Sequence, residues 1–299
     1  NLIPPIRTSG DVSRYRQEII AASDECGHEF EPLMTFKILP DTNPGMLQGL
    51  LDAGAVAGKV YPKGLTTHAE DGVDDYFALH RVFAAMEELG LVLCLHGEKP
   101  GEGIEGFNRE WAFLRTLSYI ARTFPKLRIV MEHITTAAAV DAILQLPENV
   151  AATITVHHLL LTHDDVGGDR MRPHHYCKPV AKMATDRNAL VEAATSGCPK
   201  FFFGSDSAPH PRHEKECVEP CAGIFTAPVA LPLLVGIFEK HRALDRLRIF
   251  MHDAAVRFYR LSKRSSMITL IPQPMTVPEE IDGIVPFYAG QSLSWRVEK

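Results

Sequence analysis

Lys59, His96, His133 and Asp206 are side chains that can hold a metal ion or move a proton, and each falls at the end of a short apolar run. The runs read "VAGKVYP" (56–62), "LVLCLHGE" (91–98), "LRIVMEHIT" (127–135) and "KFFFGSDS" (200–207). Neutral imidazoles are good ligands for zinc and similar ions, and a carboxylate completes such a set. Either histidine alone reads more simply as a hydrogen-bonded residue at the rim of a core. Two of them on consecutive strands, with a carboxylate after the last strand, read as a ligand set. Lys59 adds a further option. A desolvated lysine loses its proton more readily, and the neutral amine can capture carbon dioxide as a carbamate, a bidentate anion able to bridge two metal ions.

Those groups need elements to position them. Six strands are predicted: 32–39, 56–62, 91–98, 127–135, 150–158 and 200–207. Several are near-continuous in apolar residues, as parallel strands covered on both faces are. Segments of helical period lie at 71–90, where Gly90 is a C-terminal stop, and at 108–123, 185–197 and 225–241. Two more helical stretches share 244–261, and 262–299 reads as extended chain wrapping the surface. Strand–helix alternation leaves an open doubly wound sheet or a closed barrel. No glycine-rich phosphate loop follows the early strands. Lys59, His96, His133, His157 and Asp206 all fall at or near the carboxyl ends of different strands, which converge on one mouth in a barrel. The expectation is therefore an α/β fold, a (β/α)8 TIM-like barrel over 1–262 with a C-terminal tail, 263–299, packed on it. Six strands fall short of eight, so the first strand and most of the second are expected upstream of Asn1.

Composition narrows the function. The 299 residues are 45% hydrophobic and 23% charged, with a net charge of -6, which weighs against a nucleic-acid partner. No apolar run approaches the roughly 20 residues of a membrane span. The six cysteines, at 26, 94, 177, 198, 217 and 221, are scattered, pointing to a reducing compartment and a cytoplasmic protein. The opening "NLIPPIRTSG" carries neither an initiating Met nor a signal-peptide pattern. His210, His213, Cys217 and Cys221 have a spacing open to a separate structural zinc site, but a loop with two half-buried thiols is the preferred reading.

Taken in order, "GKVYPKGLTT", "LHGE", "MEHITT", "RPHHYCKP", "GSDSAPHPRHEKE" and "CAGIF" resemble the dihydroorotases of the shorter, single-function type, in the amidohydrolase superfamily. The likeness runs from Asn1 almost to the C-terminus. It implies a reversible cyclisation of N-carbamoyl-L-aspartate to L-dihydroorotate, a step of pyrimidine biosynthesis, in a homodimer with two Zn2+ ions per active site. Lys59 matches the carboxylated lysine that bridges the ions, and His96 and His133 match ligands of the more exposed one. Asp206 matches the carboxylate that binds the buried ion and shuttles the proton. His210 and the amide of Ala222 match groups that hold the substrate's carboxylate and ring, and Asn1 falls on another carboxylate contact. Thr66 and Thr67 match the threonines of a mobile loop, and Lys178 marks a backbone contact to the ring. The family's first strand ends in His-x-His, followed by an arginine, and neither is in this chain. A noncatalytic relative serving as partner or scaffold is the alternative from another class. A hydantoinase or dihydropyrimidinase is the lesser one, disfavoured because it needs no carboxylate clamp.

Overall fold

The computed structural model describes residues 2–27, 29–262 and 267–298. Asn1 lies outside them. Along the chain come α1 (Ser9–Glu25), β1 (Met34–Ile38), α2 (Leu47–Asp52), β2 (Ala55–Val60), α3 (His80–Leu89), β3 (Val92–His96), α4 (Arg109–Thr123) and β4 (Arg128–Glu132). There follow α5 (Ala137–Gln145), β5 (Val150–Ile154), α6 (Val156–Leu160), α7 (Asp164–Gly167), α8 (Ala184–Thr195), β6 (Phe201–Phe203) and α9 (Arg212–Lys215). Last are α10 (Ala230–Lys240), α11 (Leu244–Arg248), a π turn (Ile249–Asp253), α12 (Ala254–Tyr259) and four two-residue strands, β7 (Leu270–Ile271), β8 (Met275–Thr276), β9 (Ser292–Leu293) and β10 (Arg296–Val297). All six predicted strands are present and form one sheet in the order β1-β2-β3-β4-β5-β6. β1 pairs with β2, β2 with β3 and β5 with β6 in parallel register. No helix among the described residues is long and apolar enough to cross a membrane.

The chain divides into two compact units. The first comprises Asn1–Gly103, Ala112–Met131 and Leu146–Val150. Its core is built from Phe36, Ile38, Leu47, Leu50, Phe83 and Phe113, all buried. Every residue of β3 is buried, which is why its sequence shows no polar alternation. A methyl group on Gly58 of β2 would lie 2.7 Å from both Ile38 Cδ1 and Phe36 Cζ of the neighbouring strand. The absence of a side chain at 58 is thus what lets β1 pack flat against the strand that carries Lys59.

The second unit comprises Ile104–Trp111, Glu132–Gln145 and Ala151–Lys299. Here β5 stops at Ile154, four residues before the expected end at 158. Thr155 intervenes: its Oγ1 accepts the His158 amide at 3.1 Å and caps α6, so the two histidines sit on a helix instead of a strand. The helix expected over 225–241 begins only at Ala230. The tail is less plain than its sequence. It forms two antiparallel ribbons, β7 with β10 and β8 with β9. It is tied down by a Phe225–Pro286 bridge and by the Arg212 guanidinium on Glu280 at 2.9 Å.

Candidate metal centre

In the first unit, Lys59 is half-buried near the end of β2, in register with Lys37 of β1 and Cys94 of β3. The two lysines are treated differently. Lys37 Nζ is engaged by Asp71 at 2.5 Å and by the His68 carbonyl at 2.9 Å. Lys59 has no carboxylate partner among the described residues, and its Nζ stands 5.4 Å from the Tyr61 ring centroid. His96 closes β3 at 2% exposure, its Nε2 2.7 Å from the equally buried Glu98 carboxylate. A carboxylate on one imidazole nitrogen fixes the tautomer and ring orientation of metal-binding histidines. Thr66 and Thr67 lie half-buried in the turn that follows β2, which the Gly64 amide closes on the Ala69 carbonyl at 2.7 Å.

In the second unit, His133 directly follows β4, is 5% exposed and has φ 44°. A non-glycine residue in this left-handed region is uncommon and costs of order 1–3 kcal/mol, so its neighbours must hold it there. They do so from both sides. The His133 amide donates to Thr153 Oγ1 at 2.7 Å, and that hydroxyl donates to Glu132 at 2.6 Å. Beyond it, the Thr135 amide and the hydroxyls of Thr135 and Thr136 all converge on the carboxylate of Glu110, which is 1% exposed. Burial raises the Glu110 pKa, opposed by the charge of Lys182 and by the threonine donors. Nothing in "NREWAFLR" marks Glu110 except its place in the first turn of α4. Replacing it by alanine would strand three buried donors and is expected to lower stability by about 3 kcal/mol. A urea titration checks this, and a loss under about 1 kcal/mol would mean that the donors find other acceptors.

Asp206 is the second strained ligand candidate. It is exposed, lies three residues past β6 and has φ 39°. Ser207 bridges to Ile224, and its Oγ accepts the amides of Thr226 and Ala227 at 3.1 and 3.0 Å, which brings the "CAGIF" segment alongside. Lys215 completes the loop cluster. It is 3% exposed, and its Nζ donates to the carbonyls of Tyr176, Cys221 and Gly223 at 3.0, 2.7 and 2.7 Å. Burial lowers its pKa to about 8. One ammonium thus joins the segments bearing Lys178 and Ala222, a role that the loop reading of this stretch did not reveal. His210 lies 3.4 Å from Glu214 and near Cys221. His213 and Cys217 are exposed and stand outside that cluster, so the four-residue zinc arrangement weighed from spacing is not assembled.

His157, read from the sequence as a mouth residue, is fully buried in α6. Desolvation, helped by the charge of His158, holds its pKa well below 6.5. The unfolded chain takes up a proton there below about pH 6.5 while the folded chain does not, so stability falls as pH drops through that value. The slope attributable to one such group is about 1.4 kcal/mol per pH unit. Unfolding midpoints at pH 7 and 5 should show it, and His157→Gln should flatten it. An unchanged slope in the variant would assign the effect elsewhere.

Each unit carries residues of a type that can hold a metal ion. The first has a lysine without an ion pair among the described residues and a carboxylate-oriented histidine. The second has a histidine and an aspartate, each at a positive φ of the kind that clusters at functional sites. No family model matches the chain. A dihydroorotase of Teredinibacter turnerae is 43% identical over 304 residues, covering 100% of this chain and 88% of that relative. One from Aromatoleum aromaticum is 44% identical, covering 99% of this chain and 88% of the relative. The crystal structure of dihydroorotase from Saccharomyces cerevisiae, in complex with 5-fluoroorotic acid, matches with a TM-score of 0.92 at 38% identity, over 99% of this chain and 87% of that one. The Campylobacter jejuni enzyme gives 0.90 at 37%, over 100% of this chain and 86% of that one. An L-hydantoinase from Arthrobacter aurescens, with a TM-score of 0.82 at 17% identity, shares the fold alone over 99% of this chain and 72% of that one. The fold is α/β, of the TIM-like barrel type. On full-length identity above 40%, the chain belongs to the dihydroorotase family, metal-dependent cyclic amide hydrolases of the amidohydrolase superfamily.

Proposed function

We propose that the chain interconverts N-carbamoyl-L-aspartate and L-dihydroorotate at a dinuclear zinc centre to which Lys59, His96, His133 and Asp206 contribute. The observation that carries the assignment is the left-handed backbone at both His133 and Asp206, because strain of that size persists only where the surroundings enforce it. Lys59, carboxylated at Nζ, would present two oxygens to two ions. When bound, the ions lower the pKa of a water from about 15.7 toward 7 and polarise the amide carbonyl.

The remaining work belongs to protein groups. Asp206 accepts the proton of the attacking nucleophile at its carboxylate and returns it to the departing ring nitrogen. In the cyclising direction the same carboxylate takes the proton from the carbamoyl nitrogen. His210, the Ala222 amide and Asn1 hold the substrate carboxylate at a set distance from the reacting carbon, so that attack is effectively intramolecular. The backbone at Lys178 contacts the ring, and Thr66 and Thr67 close over it to exclude water. The active species is a homodimer of a cytoplasmic enzyme, and sedimentation of the purified chain as a single-chain species would refute the dimer. The direct test is turnover. Purified chain should convert dihydroorotate to carbamoyl-aspartate and leave hydantoin untouched. The opposite selectivity would replace this reading with the hydantoinase one.

A further inference from the structure

We propose that His157, His158 and Cys177 form a buried thiolate–imidazole site for a zinc-class divalent ion, in addition to the centre proposed above. Their ligand atoms lie within 4.8 Å of one another and all three residues are buried. His157 is 0% exposed, and neither of its ring nitrogens has a hydrogen-bond partner among the described residues. Leaving a buried polar group unsatisfied is costly, and an ion on the lone pair of this neutral imidazole would relieve part of that cost.

The other two ligands are already arranged for the role. His158 Nδ1 stands 2.9 Å from Thr155 Oγ1. With the proton on Nδ1, donated to that hydroxyl, Nε2 carries its lone pair toward the cluster, the arrangement in which an outer hydrogen bond orients a ligating histidine. Cys177 Sγ lies 3.5 Å from His158 Nε2. The Pro179 carbonyl oxygen lies 3.0 Å from that nitrogen and 3.3 Å from the sulfur, and supplies a fourth donor. Donor atoms around a tetrahedral zinc with bonds of about 2.0–2.3 Å stand about 3.3–3.8 Å apart. Small shifts suffice to reach that spacing. Without the ion, His158 takes the other tautomer and Nε2–H donates to the Pro179 carbonyl.

Binding removes the Cys177 thiol proton to solvent, because the thiolate is the ligand. One thiolate against a divalent ion leaves a net positive centre, which the Pro179 carbonyl dipole faces. A sulfur and two nitrogens select zinc-like ions over magnesium or calcium. The ion would pin α6 to the segment that carries Lys178. Since all three side chains are buried, it would be taken up as the chain folds.

Cobalt substitution of the full chain tests this independently of the reaction centre, since Lys59, His96, His133 and Asp206 contain no sulfur. The cobalt form should show a near-ultraviolet thiolate-to-metal charge-transfer band. The band should persist in Lys59→Ala, disappear in Cys177→Ser, and need at least about tenfold more cobalt in His157→Gln. Absence of the band in the wild-type chain overturns the proposal, and that result needs no folded variant. Survival of the band in Cys177→Ser overturns it as well, as does its loss in Cys221→Ser in place of Cys177→Ser.

Discussion

Lys59→Ala should release two metal ions per chain and lower turnover by more than about 10³-fold, since a single preorganised group at a reacting centre is already worth about 10²–10³. The substitution is mild for the fold. Lys59 is half-buried, has no carboxylate partner among the described residues and continues a strand whose backbone pairing with β1 and β3 does not depend on its side chain. What it removes is the nitrogen proposed to carry the bridging carbamate. Elemental analysis beside the wild type reads the change as a difference, so an ion held elsewhere in the chain cancels. Unchanged metal content in the variant would sink the carbamate bridge, whatever happened to activity.

Asp206→Asn separates proton transfer from shape. Asparagine tolerates the left-handed backbone that Asp206 adopts at φ 39°, so the loop should keep its course. The amide cannot take up the proton that the carboxylate shuttles. A fall in kcat of about 10²–10⁴ is expected from the lost acid–base group alone. Asp206→Ala loses the same chemistry and adds backbone strain of roughly 1–2 kcal/mol, so it should also unfold earlier in urea. An asparagine variant within tenfold of wild-type kcat would mean that another group carries the proton.

The strands were legible because burial on both faces leaves an unbroken apolar run, and β3 and β5 are buried at every position. Helix α1 was not anticipated. Only Val12 of its seventeen residues is buried, so its apolar period is faint. Its signature was the capping box, in which Thr8 Oγ1 accepts the Asp11 amide while the Asp11 carboxylate accepts the Thr8 amide. The segment 71–79 reads as helical because it is apolar at helical spacing, yet Val73 pairs with Pro62 in a bridge and the helix waits until His80. Tertiary pairing overrode a local preference there.

At the candidate site the residue types were readable and their settings were not. A histidine or aspartate forced to positive φ leaves no mark in composition, unlike a glycine in the same place. Glu110 and Lys215 illustrate a second blind spot. Each is charged and buried: Glu110 accepts from Thr135 and Thr136, 25 and 26 positions away, and Lys215 holds the Tyr176 carbonyl, 39 positions away, beside the nearer Cys221 and Gly223. Partners 20 or more positions away become visible only once the chain is folded.

The bare backbone at Gly58 ties three positions, 36, 38 and 58, into one packing unit. Because Phe36 and Ile38 occupy the volume a side chain at 58 would need, Gly58→Ala is an overpacking change of about 1–3 kcal/mol in the wild-type background. In a Phe36→Leu background the ring contact is gone but Ile38 Cδ1, also 2.7 Å from the added methyl, remains, so only part of that cost should be relieved, a coupling that a double-mutant cycle would measure directly. A side chain at 58 therefore needs smaller partners at both 36 and 38, and a substitution at 58 alone has no room to be absorbed.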